Sequence, residues 1–530
     1  VKIHNQLTKQ EILEGYLNTI YFGNGAYGIE VASQTYFGKP ASKLNVGQAA
    51  FLATVINNPS YLDPYNEGAN ERILPRYNYV LNGMVEMNAI SASEAAEFRG
   101  TLPKFKKKRN DQQFAGTKGF LLDLVRQKMR GLEFSDFEIV GGGYKIVTSF
   151  DKDMQAAAVE AVEGTRPSGL KELNTGLASV DVETGALVAM YGGPDYLESQ
   201  LNWATLGTQP GSTFKIFGVV AGLTDGYSLQ TKLNGNSPWI SDNGKDRVTN
   251  AGEGRGASYG SVTLAKATQS SINTAFVDLT DQMEQGGQKI LDAASAAGIP
   301  QSTIENINPV VGVSLGYAPV APVDMANAYG TLAAEGNRKD WFVIDQVADS
   351  RGTRLYQHRV STTQTIDPDV ASDSIAALQL VTKSGTGTRA RTFCPTAGKT
   401  GTATAGRTQA TARASGSWFV GTTPKLATAV SYSRGKGNEP LDGYLVPYYG
   451  GNYPAMTFKR YNDAVLDRAD CGKFAKPAKL KAEKGTEIKE KKEKEEKPSP
   501  TPTPTEEPTP DPEPTVDPDP EPTPDPTVTP

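Results

Sequence analysis

The sequence predicts an α+β fold, in which helices pack around an antiparallel sheet, preceded by a mainly helical segment and followed by a disordered tail. Three observations predict this class. Apolar residues recur at helical spacing over most of the first 130 positions. Apolar strand patterns joined by turns appear from Tyr144 onwards and again around residues 396–432. Long helical stretches between these two groups of strands are typical of helices packed on an antiparallel sheet.

The first predicted domain covers residues 1–95 and consists of short helices. Residues 8–19 have apolar positions at helical spacing, and Thr8 with Glu11 resembles a capping box. Further helices are predicted over 30–37, 45–57 and 70–87. A polar connector, 96–143, contains one more predicted helix near 117–130.

The second predicted domain covers residues 144–465 and contains the strands. A strand over 144–150 and a helix over 151–162 precede a hairpin of strands 177–182 and 186–191. Helical patterns cover about 263–283 and 320–334. Three strands are predicted over 396–404, 418–422 and 426–432.

The last predicted segment, 466–530, has the composition of a disordered tail. Lys and Glu dominate 479–497, and residues 498–530 are almost entirely Pro, Thr, Asp, Glu and Ser. Such a segment buries too little apolar surface to offset the entropy of ordering it, about 1–2 kcal/mol per residue for the backbone. The proline-rich part favours an extended spacer.

Charge and residue counts exclude several classes of function. The eight acids of the proline-rich tail account for the net charge of −5, and the remainder carries +3, so no nucleic-acid partner is expected. Two histidines (His4 and His358) and two cysteines are too few for a typical zinc site, and neither histidine has the setting of a Ser-His-Asp triad. We expect no metal and no cofactor. Cys394 and Cys471 are either joined or two inert thiols; the sequence leaves both open.

The start of the sequence predicts a piece of a longer chain. It begins without Met, directly before a helical pattern, and has neither a signal peptide nor a run of 18 apolar residues.

The sequence around Ser212 carries the first chemical signal. Pro210-Gly211 indicates a turn, and Ser212 stands where a helix begins. The following residues, FKIFGVV, leave almost no polar face, so this helix is expected to be buried. Lys215 lies one helical turn after Ser212, on the same face. The pattern therefore places an amine beside a hydroxyl on a buried helix.

Two further motifs follow in order. Ser271-Ile272-Asn273 lies within a helical pattern, and Lys399-Thr400-Gly401 lies within a strand pattern. Each motif alone has an ordinary structural explanation, such as a cap, a solvated lysine or a strand end. Together the three motifs form the set used by serine enzymes of the penicillin-binding and class A β-lactamase type.

The residue types suit acyl transfer. Ser212 would be the nucleophile, and Lys215 its base, because burial beside another cation, Lys399, lowers a lysine pKa. Ser271 would relay a proton, and Asn273 would hold a substrate amide. The strand at Lys399 would bind an extended peptide along its edge. Gly401 would permit close approach, Thr400 and Thr402 would meet a carboxylate, and the N–H groups of Ser212 and Thr402 would form an oxyanion hole.

Residues 145 to about 460 resemble the transpeptidase domain of class A penicillin-binding proteins. Beyond the three motifs, the similarity includes GLASVDVETGALVAMYGG at 176–193, PVDMANAY at 322–329, GTG at 385–387 and WFVG at 418–421. The resemblance implies a serine D,D-transpeptidase that cross-links peptidoglycan stem peptides and is acylated by β-lactams. Two alternatives share some of these features: a D,D-carboxypeptidase or serine β-lactamase, and a non-catalytic cell-wall-binding scaffold.

Residues 8–90 resemble the C-terminal part of the lysozyme-like glycosyltransferase domain of the same family. KQEILEGYLN at 9–18, YFGK at 36–39 and RYNYVL at 76–81 carry this similarity. It implies that Lys9, Glu11, Tyr16, Asn18 and Arg76 line a groove for lipid-linked precursor. The family's catalytic acids precede these motifs, so this chain is expected not to polymerise glycan. The family also implies an N-terminal membrane anchor, a location on the outer face of the cell membrane, and cell-wall synthesis or division proteins as partners.

Overall fold

The computed structural model describes residues 8–484, apart from 108–111, 242–243, 245, 253 and 406–412. Residues 485–530, which hold most of the predicted tail, lie outside the described residues. Among the described helices, none combines the length and the apolar character that a bilayer-spanning segment needs.

The first hundred residues form a helical part around an aromatic core. Tyr36 packs edge-on against Phe51, with ring centroids 5.2 Å apart, and Tyr77 is buried in the same cluster. The five predicted helices of this part and of the connector are confirmed: α1 (Lys9–Thr19), α2 (Ile29–Phe37), α3 (Val46–Val55), α4 (Ala69–Glu86) and α6 (Lys118–Gly131). Two short helices, α5 (Ala92–Phe98) and α7 (Asp136–Gly141), were not predicted.

Helix α1 begins as predicted but packs differently. The Glu11 N–H donates to Thr8 Oγ1 at 3.2 Å, and the Thr8 N–H donates to Glu11 Oε2 at 2.7 Å, which completes the capping box. None of the residues of α1 is buried, and Leu13 and Tyr16 are 56% and 46% exposed. The apolar stripe that an amphipathic helix normally buries therefore stays open to solvent.

A five-stranded antiparallel sheet organises residues 144–465, which confirms the α+β prediction. The elements of this part are β1 (Lys145–Thr148), α8 (Lys152–Glu163), β2 (Leu173–Asp181), β3 (Leu187–Tyr191), α9 (Lys215–Thr224), β4 (Lys232–Asn234), β5 (Trp239–Ile240), β6 (Arg247–Val248), β7 (Ser261–Thr263), α10 (Leu264–Ser270), α11 (Asn273–Gln282), α12 (Gly286–Ala297), α13 (Gln301–Ile304), α14 (Pro322–Ala333), β8 (Asn337–Arg338), β9 (Ile344–Ala348), β10 (Arg354–Gln357), β11 (Thr363–Gln364), α15 (Pro368–Ser384), β12 (Ala397–Ala405), β13 (Arg413–Thr422), β14 (Leu426–Arg434) and α16 (Tyr453–Val465). The strand order of the sheet is β12-β13-β14-β2-β3, so that β12 is a terminal strand.

Helices cover both faces of this sheet. Alternate residues of β14 show the two layers: Ala429 belongs to the large core around α9, α12, α14 and α15, whereas Val430 belongs to the core under α8 and α16. Because helices cover both faces, the central strands are buried at nearly every position. Their buried residues include polar ones, such as Ser179 and Thr428, whose hydroxyls lie 3.0 Å apart.

Two predicted helices have different boundaries in the structure. The helix predicted over 263–283 is two helices, α10 and α11, because Ser271 adopts a left-handed conformation with φ of 58°. The helix predicted from Ser212 starts as a 3-10 turn, Gly211–Phe214, and α9 begins only at Lys215. Both irregularities occur at residues of the predicted motifs.

The two cysteines form a disulfide, Cys394–Cys471, which settles the alternative that the sequence left open. Residues 466–484, assigned to the tail from their composition, follow α16 as an irregular segment. Through Phe474 and Leu480 this segment packs against the large core around α9, α12, α14 and α15. We call residues 466–484 the C-terminal strap.

Candidate active site

Four of the predicted residues, Lys215, Ser271, Asn273 and Lys399, are joined by hydrogen bonds. Lys215 Nζ donates to the Ser271 carbonyl oxygen at 2.8 Å and to Asn273 Oδ1 at 2.7 Å, and it lies 3.3 Å from Ser271 Oγ. Lys399 Nζ donates to the same Ser271 Oγ at 2.8 Å. Residues that are more than 180 positions apart in sequence therefore share one hydrogen-bonded cluster.

A tight turn places Ser212 next to β12, and the Lys215 N–H donates to the Ser212 carbonyl. Gly211 has φ of 55°, and its N–H donates to the Gly316 carbonyl at 3.0 Å. A Cβ at Gly211 would lie 2.8 Å from the carbonyl carbon of Thr402. The turn Gly211–Phe214, which we call the serine turn, is therefore packed directly on β12. The buried Tyr329 also holds this turn, because its hydroxyl donates to the Thr213 carbonyl at 2.8 Å. Ser212 itself is half-buried and reachable from solvent.

Lys215 and Lys399 are both completely buried. Burial lowers the pKa of Lys215 well below its usual value, and the nearby positive charge of Lys399 lowers this pKa further. Burial also lowers the pKa of Lys399, to about 7. The aromatic ring of Phe276 lies 5.4 Å from Lys215 Nζ and helps to keep water away. The site therefore favours a neutral amine at Lys215.

A neutral Lys215 has the geometry of a base. It carries two hydrogens, which match the two short acceptors, the Ser271 carbonyl oxygen and Asn273 Oδ1. Its lone pair is then left to accept a proton from a neighbouring hydroxyl.

Asn273 is held at both ends of its side-chain amide. Its Oδ1 accepts from Lys215, and its Nδ2 donates to the Thr249 carbonyl at 2.9 Å. Asn273 therefore positions Lys215. Its Nδ2 has a second hydrogen to donate, so the role of holding a substrate amide stays a prediction.

Ser271 owes its position to the helix break. A non-glycine residue with positive φ is strained by about 1–2 kcal/mol. The left-handed conformation at Ser271 lets its carbonyl meet Lys215 and its hydroxyl meet Lys399. The strained backbone conformation of Ser271 therefore lets this one residue contact the amines of both Lys215 and Lys399.

The terminal strand β12 forms one wall of the site. Among the described strands it pairs only with β13, so its other edge is available for a peptide. A Cβ at Gly401 would lie 2.2 Å from the Pro210 carbonyl oxygen, so the strand requires glycine next to the serine turn. Thr400 is largely buried and Thr402 is half-buried.

Thr386 joins the site although the sequence did not single it out. Its hydroxyl lies 2.7 Å from that of Thr400. The only signal was its place in the Gly385-Thr386-Gly387 segment, quoted for its family resemblance. The pair of hydroxyls adds hydrogen-bonding capacity beside Lys399.

The predicted groove residues of the helical part lie on two elements. Lys9, Glu11, Tyr16 and Asn18 are exposed on α1, where Glu11 is engaged by the capping box. Arg76 lies on α4, with its guanidinium 5.0 Å from the ring centre of Tyr79. Within the described ranges, no group of three or more His, Cys, Asp or Glu side chains could hold a metal ion.

Two family models match the chain. The model described as "Penicillin binding protein transpeptidase domain" matches residues 176–443, and the model described as "Transglycosylase" matches residues 1–85. This order of domains, together with the serine and lysine cluster, defines a class A penicillin-binding protein. The chain belongs to that family.

Particular relatives are found among mycobacterial proteins. The chain is 33% identical over 497 residues to penicillin-binding protein 1A of Mycolicibacterium smegmatis, covering 90% of this chain and 61% of the relative. It is 34% identical over 500 residues to penicillin-binding protein 1A of Mycobacterium tuberculosis, covering 90% and 59%. The chain therefore spans about three fifths of the length of these relatives.

Two solved structures of penicillin-binding proteins have folds similar to that of this chain. The PonA1 protein from Mycobacterium tuberculosis, in complex with penicillin V, is 28% identical with a TM-score of 0.62, over 70% of this chain and 99% of that one. Penicillin-binding protein 1A from Haemophilus influenzae has a TM-score of 0.61 at 20% identity, over 90% of this chain and 88% of that one, a likeness of fold alone.

Proposed function

We propose that residues 144–465 act as a serine D,D-transpeptidase. The observation that carries this proposal is the buried amine of Lys215, held by Ser271 and Asn273 next to the serine turn. A lysine with a lowered pKa activates a serine hydroxyl without histidine. The substrate, a peptidoglycan stem ending in D-Ala-D-Ala, is inferred from the family and from the β12 edge.

The first half of the reaction acylates Ser212. Its hydroxyl gives a proton to Lys215 Nζ as Oγ attacks the carbonyl carbon between the two terminal D-alanines. The N–H groups of Ser212 and Thr402 stabilise the resulting oxyanion, an effect of about 3–4 kcal/mol per donor. The C–N bond then breaks, and the leaving amine takes a proton from Lys215 through the Ser271 hydroxyl. An ester on Ser212 and free D-alanine result.

The second half transfers the acyl group. The amine of another stem peptide attacks the ester, loses a proton through Ser271 to Lys215, and displaces Ser212, which regains its hydrogen. One peptide bond is exchanged for another, so no external energy source is needed.

Substrate recognition follows from the strand and its charge. The stem peptide would pair along β12 as an added strand. Its terminal carboxylate would meet Lys399 and the hydroxyls of Thr386, Thr400 and Thr402, of which Thr386 and Thr400 already lie 2.7 Å apart. A β-lactam, which carries a carboxylate beside a strained amide, would occupy the same position and acylate Ser212.

Mass spectrometry after treatment with penicillin tests the nucleophile. We expect one adduct, on the peptide containing Ser212, and none in the Ser212→Ala variant. Lys215→Ala should lower the acylation rate by about 10²–10⁴-fold, whereas Lys171→Ala, which changes an exposed lysine, should not. An adduct that persists in Ser212→Ala contradicts the proposal, and rapid release of the adduct would indicate a β-lactamase instead.

We also propose that this protein acts in the cell envelope, on the outer side of the membrane, with peptidoglycan and its lipid-linked precursor as substrates and cell-wall synthesis or division proteins as partners. The Cys394–Cys471 disulfide supports an oxidising compartment. The groove roles of Lys9, Glu11, Tyr16, Asn18 and Arg76 belong to this proposal. The location is tested by treating intact cells with labelled penicillin and detecting the label on this protein at the outer face of the membrane.

A further inference from the structure

Three anchors of the C-terminal strap, residues 466–484, lie on elements around the candidate active site. The first is the disulfide from Cys471 to Cys394, which closes a sequence separation of 77 residues. Cys394 is buried in the turn before β12, five positions ahead of Lys399. The hydroxyls of Thr392 and Thr396 donate to the Cys394 carbonyl at 3.0 and 2.9 Å. This anchor therefore fixes the start of the lysine strand.

The second anchor is a buried carboxylate. Asp373, on α15, is 1% exposed, and its two oxygens accept from the N–H groups of Lys479 and Leu480 at 2.9 and 2.8 Å. Ser372 Oγ also accepts from the Ala478 N–H, at 3.3 Å. A buried carboxylate that loses its donors is costly. The strap thus supplies two backbone donors to a charged group of the core.

The third anchor is the C-terminal end of α9, the helix that follows the serine turn. The Gly226 carbonyl accepts from the N–H groups of Glu483 and Lys484 at 2.8 and 3.1 Å. Lys484 Nζ also lies 3.3 Å from Asp225 Oδ1. Asp225 is the C-cap of α9, the helix whose first residue is Lys215. The strap therefore ends on the element that carries the proposed base.

We infer that the strap is a positioning element of the active site: it joins the turn before Lys399 to the end of the Lys215 helix, across Asp373 of α15. Two amines facing one hydroxyl repel each other when charged, so packing has to hold them together. The strap supplies part of that packing from outside the site. The inference rests on the proposed acylation of Ser212.

Releasing the strap should change the chemistry as well as the stability. Helix α9 and strand β12 gain freedom, and a misplacement of the order of 1 Å between reacting groups lowers rates by about 100-fold. Water that enters between them favours the charged amine, so the pKa of Lys215 rises towards its usual value. The acid side of the pH profile of acylation then moves to higher pH.

The test uses the full chain with both cysteines changed, Cys394→Ser with Cys471→Ser, and penicillin as the probe. At a temperature well below unfolding, we expect acylation to slow by about tenfold or more, with the acid limb displaced to higher pH. Asp470→Asn is the matched control, because it removes only the exposed ion pair with Lys425 next to Cys471. The control should keep the wild-type rate and profile.

Reversible reduction of the wild-type disulfide provides a second measurement should the double variant not fold. Reduction should slow acylation, and reoxidation should restore it. An unchanged rate and pH profile in the variant, or in the reduced wild type, overturns the inference. Wild-type protein that penicillin does not acylate at all would instead contradict the proposed function, so the two failures are distinguishable.

Discussion

Lys215 and Lys399 point their amines at one hydroxyl, Ser271 Oγ, at distances of 3.3 and 2.8 Å. The two lysines reach it from different elements, a buried helix and the terminal strand of the sheet. Both are fully buried, so that neither charge is relieved by solvent. Because two adjacent buried cations are costly, this relationship keeps one amine neutral and ready to accept a proton.

The acylation rate should depend on pH in a bell shape. The rate falls on the acid side as Lys215, whose pKa is lowered, becomes protonated and stops acting as a base. It falls on the alkaline side, from about pH 7 upward, as Lys399 loses the charge that attracts the β-lactam carboxylate. Lys399→Arg keeps a charge at every accessible pH. In stopped-flow measurements, the acylation rate of this variant should not fall on the alkaline side. If the fall remains, a group other than Lys399 causes it.

The buried amine of Lys399 should reduce stability at neutral pH. Its pKa is about 7 in the folded protein, below the 10.5 of a free lysine. The unfolded chain therefore binds more protons between these values, and stability rises with pH over that window. Lys399→Met removes this contribution. Urea unfolding at pH 7 and pH 9 should show a smaller pH dependence and a higher midpoint at pH 7 for the variant; an unchanged dependence would contradict the burial argument.

Two substitutions of Ser271 distinguish the cost of its backbone conformation from the catalytic role of its hydroxyl. Ser271→Gly and Ser271→Ala both remove the hydroxyl between the two amines, and each should slow acylation by about 100-fold or more. Only glycine is relaxed at φ of 58°. The glycine variant should exceed the alanine variant by about 1 kcal/mol in free energy of unfolding. Equal stabilities would mean that the left-handed conformation is not retained.

Gly401→Ala should open the gap between β12 and the serine turn. The new Cβ would lie 2.2 Å from the Pro210 carbonyl oxygen, a backbone atom that cannot rotate away. Acylation should fall by at least about tenfold because the strand moves away from Ser212. Gly312→Ala is the control, since no atom lies within 4 Å of its added Cβ. Wild-type kinetics in Gly401→Ala would show that the close contact is dispensable.

The sequence predicted helices such as α1, α4, α8 and α14, the hairpin, and the motif residues Ser212, Lys215, Ser271, Asn273 and Lys399, because each lies in a local pattern or motif. It did not predict α5, α7, α12, α15 or α16. It did not predict the break at Ser271, since a serine with positive φ has no local signature. It also did not predict the position of the strap. Residues 466–484 are polar, and their order comes from a distant cysteine and from Asp373, contacts that composition does not reveal. The same holds for Asn273, whose partners, Lys215 and Thr249, are set by tertiary packing.

The transfer of an acyl group from a stem peptide to an amine tests the central claim most directly. The protein is incubated with a stem pentapeptide ending in D-Ala-D-Ala and an amine acceptor, and the products are separated by mass. We predict release of D-alanine together with a peptide joined to the acceptor, and loss of both products in Ser212→Ala. Joined product that persists in Ser212→Ala, or a wild-type protein that releases no D-alanine, would contradict the account.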